Sequence, residues 1–229
     1  MNNNSAVLYR CFRPFLLALI LTAVAACGPA PRQSVVETDV PDDPAAVRPL
    51  LPGMNMPAFT ASDPDGNERR YAPGELDRPL VVTFYRGGWC PYCSRQLMAY
   101  RPLEEQLVGL GYDLLFISPD RPEVSKGHLM DADFDMTLLS DSDMEIARGF
   151  GLAFRVDDET VERYLREHQI DIEGDSGRDH HYLPVPATYI IGTDGVVRFM
   201  YANPNYRVRL DPALLLSAAQ IVASEDAGS

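Results

Sequence analysis

The 229-residue chain predicts an α/β protein, with a central mixed β-sheet flanked by helices on both faces. Three observations carry this. Leu80–Tyr85 and Tyr112–Ser118 are strand-length runs, apolar nearly throughout, as strands buried on both faces should be. Helix signals alternate with them. A hairpin pattern near the C-terminus, Thr188–Ile191 and Val196–Tyr201 around Thr193-Asp194-Gly195, then precedes one last helix.

In chain order, Arg10 and Arg13 supply positive charge ahead of Phe15–Ala26, a twelve-residue run that is apolar except for Thr22. That is too short to span a bilayer and suits the core of a signal peptide. Residues 28–50 hold five prolines and several acids with no apolar period, which reads as an extended linker. A folded domain is expected over 51–225. It opens with a short strand at Met56–Thr60 and a turn at Asp63–Asn67. A helix follows Cys93, split or kinked by Pro102 and ended by Gly109 and Gly111. Further helices are expected at about 122–131, from Asp141 to Arg148 and over 157–169, with a short strand at Thr137–Leu139. Residues 171–182 read as a polar loop. Asp211-Pro212 opens the final helix, through about Val222.

The chain carries 33 acidic and 20 basic residues, a formal charge of −13, and no basic patch. Phosphate recognition needs such a patch, so nucleic acid is not expected as a partner. Four cysteines are too few for a disulfide framework. Two of them stand at the centre of the chemistry. Val81–Tyr85 runs as a strand into Arg86-Gly87-Gly88-Trp89 and delivers Cys90-Pro91-Tyr92-Cys93 to a helix start. Unpaired N–H groups and the helix dipole there favour a thiolate. The dipole contributes at most ~2 kcal/mol, and one pKa unit is ~1.4 kcal/mol. A larger shift therefore needs a second source, such as the Cys93 thiol or the charge of Arg86. Pro91 suits the first helical turn, where its missing N–H does no harm. Trp89 should pack beside the sulfurs.

Phe84–Cys93, with Val185-Pro186-Ala187-Thr188 ahead of the hairpin, resembles the thioredoxin superfamily, and more narrowly the AhpC/TSA (redoxin) branch of peroxiredoxin-like proteins. Leu138-Leu139-Ser140-Asp141 and Gly149-Phe150-Gly151 are similar to that branch too, and the likeness covers roughly residues 53–222. It implies a thioredoxin-like fold. It also implies a proline opposite the cysteines, here Pro186, in the cis form, with Val185 offering backbone groups to a substrate chain.

Three functions follow from the resemblance. The first is a thiol-disulfide oxidoreductase, in which Cys90 attacks a disulfide and Cys93 resolves the mixed disulfide. The alternative is a thiol-dependent peroxidase. In the peroxiredoxin pattern Pro-x-x-x-Thr-x-x-Cys the peroxidatic position falls on Cys93 and the Thr position on Cys90. The Pro position falls on Gly87 or a neighbour, and the Arg position before Ala-Thr on Pro186. Arg86 and Arg198 are the candidates to replace that arginine. A lesser alternative is a Cu(I) chaperone using the two thiolates and His180 or His181. No metal or other cofactor is expected for the first two. Both need a disulfide or peroxide substrate and a thiol reductant partner.

Val24-Ala25-Ala26-Cys27-Gly28 resembles the lipobox of bacterial lipoproteins. It implies cleavage before Cys27, lipidation of that sulfur, and a lipid-anchored place in the cell envelope, on the periplasmic face of the outer membrane.

Overall fold

In a computed structural model of the protein, residues 40–129 and 136–227 are described. The expected signal peptide, the lipobox-like stretch and Cys27 lie outside them, as does the end of the helix expected to reach 131.

Seven strands form one mixed sheet in the order β2-β1-β5-β4-β3-β8-β9. They are β1 (Phe59–Ser62), β2 (Glu68–Tyr71), β3 (Leu80–Phe84), β4 (Asp113–Ser118), β5 (Thr137–Ser140), β8 (Ala187–Ile191) and β9 (Val197–Ala202). β3, β4 and β5 run parallel, and β1, β8 and β9 join antiparallel. A separate pair, β6 (Ala153–Arg155) and β7 (Tyr182–Pro184), stands beside the sheet.

The continuous apolar strands serve two cores at once. Side chains alternate across a strand. Leu80, Val82 and Phe84 of β3, with Leu115 and Ile117 of β4, enter one core against Ile146, Ala147 and Phe150. Val81 and Tyr85, with Leu114 and Phe116, enter the other against Leu97, Tyr100, Leu107 and Leu215. The second core is roofed by α1 (Pro91–Tyr100), α2 (Glu104–Gly109) and α7 (Pro212–Ala227). Pro102 splits the helix as expected, through a 3₁₀ turn at Arg101–Leu103.

α3 (Pro122–Leu129) lies on the side of the second core, where Ser125 faces Tyr85, and α4 (Glu145–Gly149) packs on the first. Next come α5 (Asp158–His168) and α6 (Ile172–Ser176), the latter inside the stretch expected to be loop. α5 and α6 close a third, small core of Val156, Ile172 and Leu183, against which Trp89, Phe154 and Tyr164 pack.

The linker expectation fails for residues 40–50. Val40, Val47 and Leu50 pack on the first core. The Arg48 and Leu50 N–H groups donate to the Gly151 and Phe150 carbonyls at 3.1 Å, and Arg155 N–H donates to the Pro41 carbonyl at 2.8 Å. Gly151 permits this approach: its φ is +69°, and a Cβ there would lie 1.9 Å from the Arg48 carbonyl oxygen. Proline density signalled an extended chain, and that chain docks instead of standing free.

Asp141 is a cap, as its place before a helix suggested. Its two carboxylate oxygens accept from Ile146 N–H at 3.0 Å and Ala147 N–H at 2.8 Å. Burial outweighs those bonds and pushes its pKa up to about 7. From about pH 4 to 7 the folded state therefore holds a proton that the unfolded chain has released. Stability from this residue is full below that window and falls as pH rises through it. Urea denaturation at pH 5 and pH 8 should show the slope in the wild type, and Asp141→Asn should flatten it.

Candidate active site

The site forms at the C-terminal end of β3, where the chain leaves the sheet and turns into α1. Gly87 holds φ +141°, and a Cβ there would meet Trp89 Nε1 at 2.4 Å and Asp120 Oδ1 at 2.8 Å. Gly88 N–H donates to Asp120 Oδ2 at 2.8 Å, and the Ser118 hydroxyl donates to the same oxygen at 3.1 Å. The turn is thereby pinned to the end of β4. Cys90 then stands at the N-cap of α1, with Pro91 in its first turn. Both cysteines are free thiols and buried.

Five influences set the Cys90 charge, and they are unequal. A hydrogen bond from the Cys93 thiol is the largest and stabilises the thiolate, and burial opposes it. The Cys93 backbone N–H and the charges of Arg86 and Arg209 add to the first. The net result holds Cys90 down to about 6. Burial and the adjacent Cys90 thiolate push the Cys93 thiol up. The pair thus holds one thiolate, centred on Cys90, with Cys93 as its proton-bearing partner.

Arg209 is the residue that sequence reasoning missed. Its Nη2 lies 3.2 Å from Cys93 Sγ and 3.9 Å from Cys90 Sγ. Its Nη1 donates to Gln96 Oε1 at 3.1 Å. From Gln96 a buried chain runs inward: Gln96 Nε2 donates to Tyr100 Oη at 2.9 Å, which meets Thr188 Oγ1 at 3.4 Å, which meets Thr83 Oγ1 at 3.3 Å. Thr83 and Thr188 are direct partners in the β3–β8 register. Thr188, a site candidate from the resemblance, is thus a link in the hydrogen-bond chain behind Arg209, with Thr83 at its inner end. A signal was available, because β9 pairs antiparallel with β8. The chain leaving β9 at Ala202 therefore returns to the end of the sheet that holds Pro186.

Arg198, one of the two arginines expected to serve, does not. It sits at the opposite end of β9, donating to Asp194 at 3.0 Å and Asp226 at 3.4 Å. Arg86, the other, is buried among rings. Its guanidinium carbon is 4.3 Å from the Tyr206 centroid, 5.0 Å from Trp89 and 5.8 Å from Tyr164. Its Nη2 donates to Tyr164 Oη at 3.0 Å. Counting back from Cys93 by the peroxiredoxin spacing, the Pro position falls on Arg86, the neighbour of Gly87. Trp89 packs against the cysteine core as expected, and Tyr164 lies 6.1 Å from its ring.

The Val185-Pro186 wall is corrected in two respects. No peptide bond among the described residues is cis, so Pro186 is trans. Val185 N–H donates to the Leu152 carbonyl at 2.9 Å and is not offered to a substrate. Pro186 instead lines a cavity of about 210 Å³ with Arg86, Phe154, Tyr164 and Tyr206.

The copper arrangement does not form. His180 Nε2 faces the Ser142 carbonyl at 2.8 Å, and its Nδ1 accepts from Tyr182 N–H at 2.9 Å. His181 lies between Asp158 and Glu173. No group of three metal-ligating side chains occurs among the described residues.

Comparison with known proteins agrees with this geometry. Residues 52–200 match the profile of the AhpC/TSA family. Peroxiredoxin Bcp of Escherichia coli K12 is 32% identical over 106 residues, 46% of this chain and 67% of its own. The chloroplastic peroxiredoxin Q of Populus jackii is 28% identical over 151 residues, 66% of this chain and 60% of its own. The chain thus spans about two thirds or less of the curated relatives it matches. The crystal structure of peroxidoxin BcpB from Mycobacterium tuberculosis superposes with a TM-score of 0.59 at 20% identity, covering 76% of this chain and 98% of that one.

Proposed function

Because the chain belongs to the AhpC/TSA family, we propose that it is a thiol-dependent peroxidase whose redox centre is the Cys90–Cys93 dithiol. The observation that carries this reading is Arg209, laid against both sulfurs in a buried site. The arginine of the peroxiredoxin pattern is replaced by Pro186 in sequence, and a cation from a different segment fills its place. A guanidinium fixed beside the thiolate supports the charge there and can donate to peroxide oxygen as it develops charge.

In this mechanism the Cys90 thiolate attacks the nearer oxygen of a hydroperoxide. The O–O bond breaks, Cys90 becomes a sulfenic acid, and the alkoxide or hydroxide takes a proton to leave as alcohol or water. Cys93 then attacks the Cys90 sulfur. Its thiol proton and the sulfenic hydroxyl leave as water, forming the Cys90–Cys93 disulfide. Two electrons from an external thiol reductant restore the dithiol. Family position would assign the attack to Cys93, while charge and N-cap placement favour Cys90.

Disulfide exchange ranks second. The low Cys90 pKa suits it, but the Val185 amide that a bound substrate chain would need is already bonded to Leu152. The test is to mix the reduced protein with hydrogen peroxide and, separately, with insulin. We expect one peroxide consumed per dithiol, with a mass loss of two hydrogens. Reduction of insulin without peroxide consumption would return the function to disulfide exchange.

Lipid anchorage through Cys27 in a bacterial envelope remains part of this proposal, on the strength of residues 24–28. Cys27→Ala should move the protein from the membrane fraction to the soluble fraction.

A further inference from the structure

Arg86 raises a question that the peroxidase reading does not answer. It is 4% exposed, and its Nε has no hydrogen-bond partner. No carboxylate pairs with it among the described residues; its company is the three rings and the Tyr164 hydroxyl. Its charge supports the Cys90 thiolate, yet its Nε donor is left unmet, and a buried donor without a partner is costly enough to mark a place for an acceptor. Arg86 lines the 210 Å³ cavity, whose other walls include Phe154, Val156, Pro186, Pro204 and Tyr206.

The surroundings point the same way. Arg95 lies over Tyr92 at 4.4 Å and Arg207 over Tyr206 at 5.6 Å, and neither pairs with a carboxylate among the described residues. Tyr92 and Tyr206 stack edge to face at 5.6 Å between them. In a chain of net charge −13, these two arginines place positive charge near the site. Three charged groups besides Arg86 line the cavity wall itself. Arg155 is engaged with Asp158, and Asp157 caps α5 by accepting from Thr160 N–H at 2.8 Å. Asp42 is exposed at the rim.

We propose that this cavity is a carboxylate-binding subsite, in which Arg86 receives the anionic end of a small organic molecule while its other end reaches the dithiol. The cavity is smaller than the ~300–1,000 Å³ of drug-sized sites, so the ligand is a short one. The same chemistry suits two sources: a carboxylate-bearing hydroperoxide, or a carboxylate-bearing thiol that re-reduces the disulfide. Assignment to either source rests on the peroxidase reading; the subsite itself does not.

Binding is tested first, without peroxide, by calorimetry of the reduced full-length protein with benzoate and with its neutral isostere benzamide. Benzoate should bind saturably and benzamide about tenfold or more weakly, as expected for loss of a charge-assisted hydrogen bond. Arg86→Gln should abolish the difference. Thr160→Phe, which fills the cavity wall without touching Arg86, should block benzoate even if the first variant fails to fold. Equal binding of the two probes, or unchanged benzoate binding in a folded Arg86→Gln protein, overturns the subsite.

Two kinetic pairs then separate the sources: 3-mercaptopropionate against 2-mercaptoethanol as reductant, and a carboxylate-bearing alkyl hydroperoxide against its methyl ester as oxidant. Preference for the charged member in either pair, lost in Arg86→Gln, identifies the ligand. No preference in either pair refutes a role in turnover. Benzoate binding is independent of turnover, so failure of the subsite and failure of the peroxidase reading are told apart.

Discussion

Arg209→Met slows oxidation of the reduced protein by hydrogen peroxide by about 10²-fold, the loss typical when one fixed donor to a developing charge is removed, or about 2.7 kcal/mol of barrier. The reason is placement. The guanidinium touches both sulfurs and is held on its far side by Gln96. The sole tryptophan of the chain, Trp89, packs against the cysteine core and serves as the stopped-flow reporter. Because Arg209 also supports the thiolate, its removal moves the pH midpoint of the reaction upward. Gln96→Leu is expected to do the same more weakly, by about tenfold in rate, through loss of a charge-assisted bond that orients the arginine. A merely structural role for Gln96 would leave the midpoint where it was. An Arg209→Met protein that reacts at the wild-type rate would remove the main support for the peroxidase reading.

The second large effect separates the two sulfurs. Cys90→Ser is expected to abolish peroxide reduction, because the remaining thiol, Cys93, is buried and held protonated. Cys93→Ser should still react once with peroxide and stop at a sulfenic acid, detected as a mass gain of one oxygen and trapped by dimedone. In the wild type the rate should rise tenfold per pH unit below about 6 and level off above about 7, following the Cys90 thiolate. Sulfenic acid on Cys93 in the Cys90→Ser protein, with none on Cys90 in the other variant, would move the attack to the family's peroxidatic position. Cys93→Ala, which removes the donor, should also move the midpoint above that of the wild type, since the Cys93 thiol is the largest stabiliser of the Cys90 charge.

The parts of this fold that were legible are those whose physics is local. Leu80–Tyr85 and Tyr112–Ser118 are apolar nearly throughout because both faces of β3 and β4 are covered, and such a run reads as a central strand. Pro102 splits the helix for the same reason in any context. Charged edges were not legible. Glu68-Arg69-Arg70-Tyr71 forms β2 only because β1 offers a ladder, and β6 and β7, three residues each, exist only because they face one another. The Cys90-Pro91-Tyr92-Cys93 turn carried its chemistry in plain view. Its cation did not, since Arg209 lies 116 residues beyond Cys93 and reaches it only through the β8–β9 hairpin. Arg86 was visible as a charge near sulfur. The box of Tyr164, Trp89 and Tyr206 around it was not, because those rings come from three separate segments.

Docking of residues 40–50 changes the mechanics of any tether. With Cys27 as the proposed anchor, the described contacts with the core reach back to Val40, which leaves residues 28–39 between anchor and domain. About a dozen residues at ~3.5 Å each give a leash of at most about 40 Å, half of what a linker running to residue 50 would allow. The leash does not attach at a neutral point. Asp42 and Pro44 form part of the cavity wall that holds Arg86, and Pro41 is bonded to Arg155 of that same wall. Under the proposed anchorage, a pull from the membrane would act close to the mouth of the thiol site, so the tether would be a mechanical load on the cavity as well as an address.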